Sequence, residues 1–321
     1  MTPRQRLAQL LFVGVSPTDP AAAVNLVRTE QVGGVFIGGN PTILLRGNAL
    51  RAVQQAARWG VSVAVDEEGG RVQRIDQLDG SMPSARVMAR TMTVDQVRAA
   101  GRERGEQMLA RGVTMDFAPS LDVSSQPDNG PIGDRSFSSD PAKARDYGLA
   151  FAAGLRDAGV TPVFKHFPGH GHGQGDSHEG AVTTPPLSSL RNNDLVPYAA
   201  VAGFAGGEVM VGHLTVPGLT NGQPASLSPE AYRLLRGDYH FTGPVVTDDL
   251  GAMRAITTTY RLPDAVLHAL LAGADQALWS SGGNVDAVLD RLEQALGSGE
   301  LPAARVDEAL HRILPAKHAC G

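Results

Sequence analysis

The sequence predicts an α/β fold, a single-domain (β/α)8 barrel of the TIM type that uses residues 1–321. Three observations predict it. Eight short runs rich in β-branched or apolar residues alternate with amphipathic segments, the pattern of parallel strands joined by helical crossovers. Titratable residues gather directly after these runs, where such a barrel carries its active site. No low-complexity linker or internal repeat interrupts the alternation, so a domain boundary has nowhere to fall.

The strands are expected at 10–15, 32–37, 61–65, 115–118, 162–165, 208–211, 244–247 and 276–279. Arg4 and Arg6 precede the apolar LAQLLFVGV, a weak imitation of a signal peptide. A short helix feeding a buried first strand accounts for the same residues, and nothing after Ser16 makes a good cleavage site. A cytoplasmic location is therefore expected for the chain as given, with envelope attachment the alternative if a natural precursor carries a signal absent here. Leu50, Val53 and Ala57 form one apolar stripe, and Val285, Val288, Leu289 and Leu292 another. Between the fourth and fifth strands, Asp140 can cap a helix with Pro141 in its first turn. Ala144, Tyr147, Phe151 and Leu155 share its inner face, and Gly159 ends it.

Composition narrows the function. The chain is 42% hydrophobic and 19% charged, which suits a globular protein with a sizeable core. Its net charge of -5 offers no electrostatic footprint for nucleic acid or an anionic membrane. No apolar run approaches the roughly 20 residues of a membrane span. The single cysteine, Cys320, excludes an intramolecular disulfide and a Cys-based zinc site. A monomer acting on a small molecule is expected.

Polar residues follow the strands in order: Asp66 after the third, Asp122 after the fourth, Lys165 and His166 after the fifth, His213 after the sixth and Asp248 after the seventh. Four constellations surround them. In VDEEGGRVQR (65–74), Asp66 can accept two sugar hydroxyls and Arg74 can offer a rigid fork of donors, although a salt-bridged turn at the barrel rim would look the same. In GDRSFSSDP (133–141), Arg135 sits on a loop from which it could reach inward, or remain solvated.

The third constellation, KHFPGHGHGQGDSH (165–178), packs four histidines onto a glycine-rich loop. His166, His170, His172 and His178 could supply imidazoles to zinc, but zinc hydrolases on barrels draw ligands from several strands, and one glycine-rich loop does not preorganise a tetrahedron. Proton transfer needs only Asp176 and His178. Two apart in an extended segment, they lie on one side, so the carboxylate can hold and charge the imidazole. In the fourth, GPVVTDDLGA (243–252), a buried strand runs into Asp248 and Asp249, of which one can face the pocket easily. A helix N-cap explains Asp249 well and Asp248 poorly.

With DEEGGRVQR, GDRSF, KHFPGHG followed by DSH, and LLRGDYHFTGPVVTDDLGA in that order, the chain resembles the bacterial β-N-acetylglucosaminidases of glycoside hydrolase family 3 over essentially its whole length. Leu234, Leu235, Arg236, Gly243, Thr247 and Asp248 satisfy the family's nucleophile pattern, and Pro244 departs from it at the strand entry. The resemblance implies a retaining exo-glycosidase that removes terminal β-linked N-acetylglucosamine from muropeptides such as those ending in 1,6-anhydro-N-acetylmuramic acid. It implies Asp248 as nucleophile, His178 as acid/base supported by Asp176, and Asp66, Arg74, Arg135, Lys165 and His166 as sugar-binding residues. Asp122, His170 and His213 are weaker candidates for supporting them. It implies no organic cofactor and no metal. The alternatives are a phosphorylase using the same site, a metal-dependent hydrolase built on the histidine loop, and a non-catalytic sugar-binding barrel.

Overall fold

Eight parallel strands form the centre of the computed structural model, which describes residues 1–40 and 43–318. They are β1 (Leu11–Gly14), β2 (Gly34–Phe36), β3 (Ser62–Val65), β4 (Met115–Asp116), β5 (Thr161–Phe167), β6 (Glu208–Val211), β7 (Val245–Thr247) and β8 (Ala277–Trp279). Each of β2 to β7 pairs in parallel with the strand before it, and β8 returns to β1 through the register Leu11↔Ala277 to Val13↔Trp279. The ring closes between β7 and β8, where Thr247 N–H donates to the Gln276 carbonyl at 3.0 Å and Gln276 N–H to that of Val245 at 3.0 Å. The chain is a closed (β/α)8 barrel, as the strand count predicts.

Alternation along the strands sorts side chains into two cores. Phe12, Phe36, Ala64, Met115, Phe117, Val163, Met210, Val246 and Leu278 pack together inside the ring, while neighbours such as Leu11, Val13, Val63, Val209 and Trp279 pack outward against the helices. The Phe117 ring fills the centre, 5.5 Å from Phe12 and 5.4 Å from Phe36 between centroids. Gly34 makes room for this, because a Cβ there would stand 2.4 Å from the Phe12 ring.

The helices follow the capping signals. Thr2 closes a capping box on Pro3–Ala8, and Asp140 accepts from Lys143 N–H at 2.8 Å to start Pro141–Asp157. That helix lies tightly on Val94–Ala110: a Cβ on Gly154 would meet the Arg98 carbonyl at 2.1 Å. Ala57 falls just outside its helix, Ala49–Ala56, in extended backbone. Among the described residues, no helix is long and apolar enough to cross a membrane. Cys320 lies outside the described residues.

Only Glu208–Val211 keeps its expected bounds; the other strands differ by one or two residues at an end, and two of these differences lie beside the cavity. β4 is only two residues long, although Phe117 N–H still bonds the Val65 carbonyl at 2.8 Å. β5 runs on to Phe167 through a register irregularity between Phe164 and Phe167. Lys165 and His166 are therefore held in the sheet rather than on the glycine-rich loop.

At the opposite mouth of the barrel, Glu208 is buried, and among the described residues its Oε2 has no hydrogen-bond partner. Burial, assisted by Asp275 and opposed by Lys317, pushes its carboxyl up to about 8 from an ordinary 4.5. The folded chain thus keeps a proton that the unfolded chain releases above pH 4.5, so stability should fall as the pH rises from there towards 8. Glu208→Gln should flatten that slope and match or exceed the native chain in thermal stability above neutral pH. Thermal unfolding across this window checks it, and parallel curves for the two proteins would contradict it.

Candidate active site

The strand ends open on a cavity of about 790 Å³. Asp66, Arg74, Arg135, Lys165, His166, Asp176, His178 and Asp248, separated by up to 182 positions in sequence, all line it.

One floor of the cavity is a continuous ionic network across the ends of β3, β4 and β5. Lys165, 2% exposed, places Nζ 2.8 Å from Asp66 Oδ1 and 2.6 Å from Glu68 Oε1. Arg135, on a short 3-10 turn (Gly133–Arg135), grips Glu68 with Nε and Nη2, both at 2.8 Å. Burial alone would raise the Glu68 carboxyl, but Arg135 and Lys165 outweigh it and hold the group well below the usual range. Burial likewise disfavours the Lys165 ammonium, and Asp66 and Glu68 more than restore it. Arg74 Nη2 lies 3.6 Å from Asp66 Oδ2, and its backbone N–H is tied to Glu67 Oε2 at 2.5 Å. Glu67 thereby shapes the turn that presents Arg74.

Asp122, fully buried, organises the next sector. Its carboxylate accepts from His170 N–H at 2.6 Å and lies 2.7 Å from His166 Nδ1. Burial pushes its carboxyl up, but the two histidines overcome this and hold it well below the usual range. A carboxylate at Nδ1 assigns the proton there and leaves His166 Nε2 for the cavity and Arg135. Burial keeps the His170 ring neutral at pH 7, and its Nδ1 has no partner among the described residues.

Asp248 follows β7 directly and is 6% exposed. Its Oδ1 accepts the Asp249 N–H at 2.9 Å; Oδ2 takes no hydrogen bond from the described residues and is the oxygen open to a ligand. Burial works against ionisation, yet His213, His166, the Asp249 N–H and Lys165 bring the carboxyl below its ordinary value. His213 is itself held below the ordinary imidazole value, by burial first of all. His213 sits under the turn, with Nε2 donating to the Asp249 carbonyl at 2.9 Å and Nδ1 facing Ser226 Oγ at 2.7 Å.

Across the cavity, Asp176 and His178 occupy the tip of a small hairpin whose stem is closed by Gln174 and Thr183. Asp176 Oδ1 accepts the His178 N–H and meets His178 Nδ1, both at 2.9 Å. Burial opposes ionisation of Asp176, but these contacts bring its carboxyl below the usual range. Nδ1 being occupied, Nε2 is the nitrogen available for proton transfer. The His178 side chain is 64% exposed, at the rim. The four loop histidines diverge: His172 pairs with Asp194 at 2.9 Å and does not line the cavity. Among the described residues, no group of three or more His, Cys, Asp or Glu is placed to hold a metal ion.

The model of the glycosyl hydrolase family 3 N-terminal domain matches residues 2–316. The chain belongs to glycosyl hydrolase family 3. It is 52% identical to the β-hexosaminidase LpqI of Mycobacterium tuberculosis over 324 aligned residues, covering 99% of this chain and 83% of that protein. A crystal structure of a family 3 glycosyl hydrolase from Mycobacterium smegmatis superposes with a TM-score of 0.95 at 53% identity, covering 98% of this chain and 97% of that one. A family 3 β-N-acetylglucosaminidase from Paenibacillus superposes with a TM-score of 0.92 at 30% identity, over all of this chain and 63% of its own. The chain is a glycoside hydrolase of the family's β-hexosaminidase group.

Two further carboxylates belong to this site that the sequence pattern does not single out. Glu68 is hidden in a run of three acids, and only the fold shows which of them the cations share. The sequence pattern suits Asp249 to a helix cap, but its carboxylate caps a turn, and the next helix begins only at Arg254.

Glu68→Gln should remove the charge that buried Lys165 and largely buried Arg135 share, lowering unfolding free energy by about 3 kcal/mol at neutral pH. The Glu68 carboxyl titrates below 4.5 when folded, so its contribution is complete above that pH and is lost as the pH falls. Denaturant titrations should therefore show the gap between native and variant narrowing in acid, and a gap independent of pH would contradict the assignment.

Proposed function

We propose that this enzyme releases terminal β-linked N-acetylglucosamine from peptidoglycan fragments with retention of configuration. The observation that carries the reading is one cavity shared by a buried, ionised Asp248 and the exposed Asp176–His178 pair. A carboxylate with one oxygen anchored and one open suits attack on an anomeric carbon, and an imidazole braced at one nitrogen suits proton transfer at the other.

In the first step, Asp248 Oδ2 forms a bond to the anomeric carbon as the bond to the leaving oxygen breaks. His178, as imidazolium, gives that oxygen its Nε2 proton, and Asp176 stabilises the charged ring. In the second step, a water attacks the same carbon, the neutral His178 takes its proton, and Asp248 leaves as carboxylate. Two inversions give net retention. Asp66, Arg74, Lys165, Arg135 and His166 hold the sugar through its hydroxyls and acetamido group, with charges already fixed to one another so that little reorganises on binding. The similarity to LpqI and to the Paenibacillus β-N-acetylglucosaminidase supports an N-acetylhexosamine in this position. At about 790 Å³, the cavity also has room for part of a leaving group such as a 1,6-anhydro-N-acetylmuramic acid residue.

A 2-fluoro or 5-fluoro glycosyl donor should trap the intermediate, and peptide mass mapping should find the label on Asp248; a label elsewhere overturns the reading. Asp248→Ala should fold normally and lose turnover by roughly 10⁴-fold or more. His178→Ala should slow donors with poor leaving groups far more than donors with activated aryl leaving groups, and equal losses would mean that His178 positions substrate and does not protonate it.

A further inference from the structure

The two groups of that mechanism arrive on different strand loops, and a single side chain ties those loops together. Asp249 Oδ1 accepts from the N–H groups of Gly251 at 2.8 Å, Ala252 at 3.1 Å and Ser280 at 3.1 Å, and Oδ2 accepts from Ser280 Oγ. Its carboxylate thus fastens the turn after β7 to the end of β8. The turn is packed hard against that strand end, because a Cβ on Gly251 would stand 2.8 Å from both Trp279 Cβ and Ser281 Oγ. The Asp249 main chain acts on the nucleophile itself: its N–H holds Asp248 Oδ1, and its carbonyl is held by His213.

The same turn continues into Arg254–Thr257, where the Ala255 N–H donates to the Ser177 carbonyl at 3.2 Å. Ser177 is buried, 3% exposed, and stands between Asp176 and His178. A run of hydrogen bonds therefore leads from β8 through Asp249 and the turn to the hairpin that carries the proton-transfer pair. Among the described residues, Ala255 to Ser177 is the one backbone hydrogen bond between these two loops.

We propose that Asp249 is a positioning residue that sets the distance between the nucleophile and the proton-transfer arm, by holding the turn on which Ser177 rests. The proposal rests on the assignment of Asp248 and His178 given above. A carboxylate suits the role because it accepts all four hydrogen bonds without offering a donor that would repel an N–H. In Asp249→Ala the turn loses its anchor to β8, Ser177 loses a fixed support, and the His178 ring is no longer held at a set distance across the cavity. Proton donation suffers first, since it requires heavy atoms within hydrogen-bond reach.

The test compares a β-N-acetylglucosaminide bearing a poor alkyl leaving group with one bearing an activated aryl leaving group. Asp249→Ala should lower kcat on the poor leaving group at least ~10-fold more than on the activated one, a part of the ~10²–10⁴ that general acid catalysis supplies. Asp249→Asn, whose Oδ1 still accepts from the three N–H groups, should recover most of the loss. Ser280→Ala, which removes only the hydroxyl contact, should shift the ratio in the same direction by a smaller factor, and it decides the matter if the Asp249→Ala chain does not fold. Equal losses on both donors, or an Asn variant no better than Ala, overturn the proposal. His178→Ala serves as the reference: if it discriminates between the donors and Asp249→Ala does not, the positioning role falls alone. If neither discriminates, the acid/base assignment falls with it.

Discussion

The floor at the mouth of the barrel depends on one carboxylate shared by a buried lysine and a largely buried arginine. Glu68 neutralises Lys165 and Arg135 together, and without it two positive charges would face each other in a desolvated floor. Asp66 and Arg74 extend the network at one end, and His166 and Asp122 at the other. Each member is held by at least one partner of opposite charge or by a backbone group. The floor is therefore tied together before any ligand arrives, so that in the proposed mechanism its fixed dipoles act on a sugar without first being reoriented.

The two groups placed on either side of that floor have opposite surroundings, and the chemistry proposed for them asks for the difference. Asp248 is buried and anchored through one oxygen, so it stays ionised and directed while solvated by little water. His178 is exposed and belongs to a hairpin, where an imidazole can exchange protons with solvent between steps. In the proposed mechanism, a carboxylate that forms a bond gains from a fixed position, and an imidazole that is recharged between steps gains from access to water. Asp176 reconciles that access with direction by bonding both the ring and the backbone of His178.

Much of this was legible in the chain. The eight runs of apolar residues located every strand of the barrel, because parallel strands buried on both faces leave an unbroken hydrophobic signature. Asp248, Lys165 and His166 could be found by their place at strand ends, and the Asp176–His178 pair by its spacing. The bounds of β4 and β5 were not legible. Whether a residue such as Ala118 or Phe167 belongs to the sheet depends on the register of the neighbouring strand, to which local composition is blind. The partners of the loop histidines also come only from the fold, which pairs His172 with Asp194 and His178 with Asp176.

Local patterning, then, determined the architecture and the inventory of reactive groups, since strand and helix periods, caps and glycine-rich turns are properties of neighbours along the chain. Partnership was decided only by tertiary structure. That Glu68 and not Glu67 receives the two cations, and that Asp249 fastens a turn to β8, follow from which strand ends the closed barrel brings within about 3 Å, the range over which a hydrogen bond forms. Closing the ring sets those distances across segments far apart in sequence, and no window of neighbouring residues contains them.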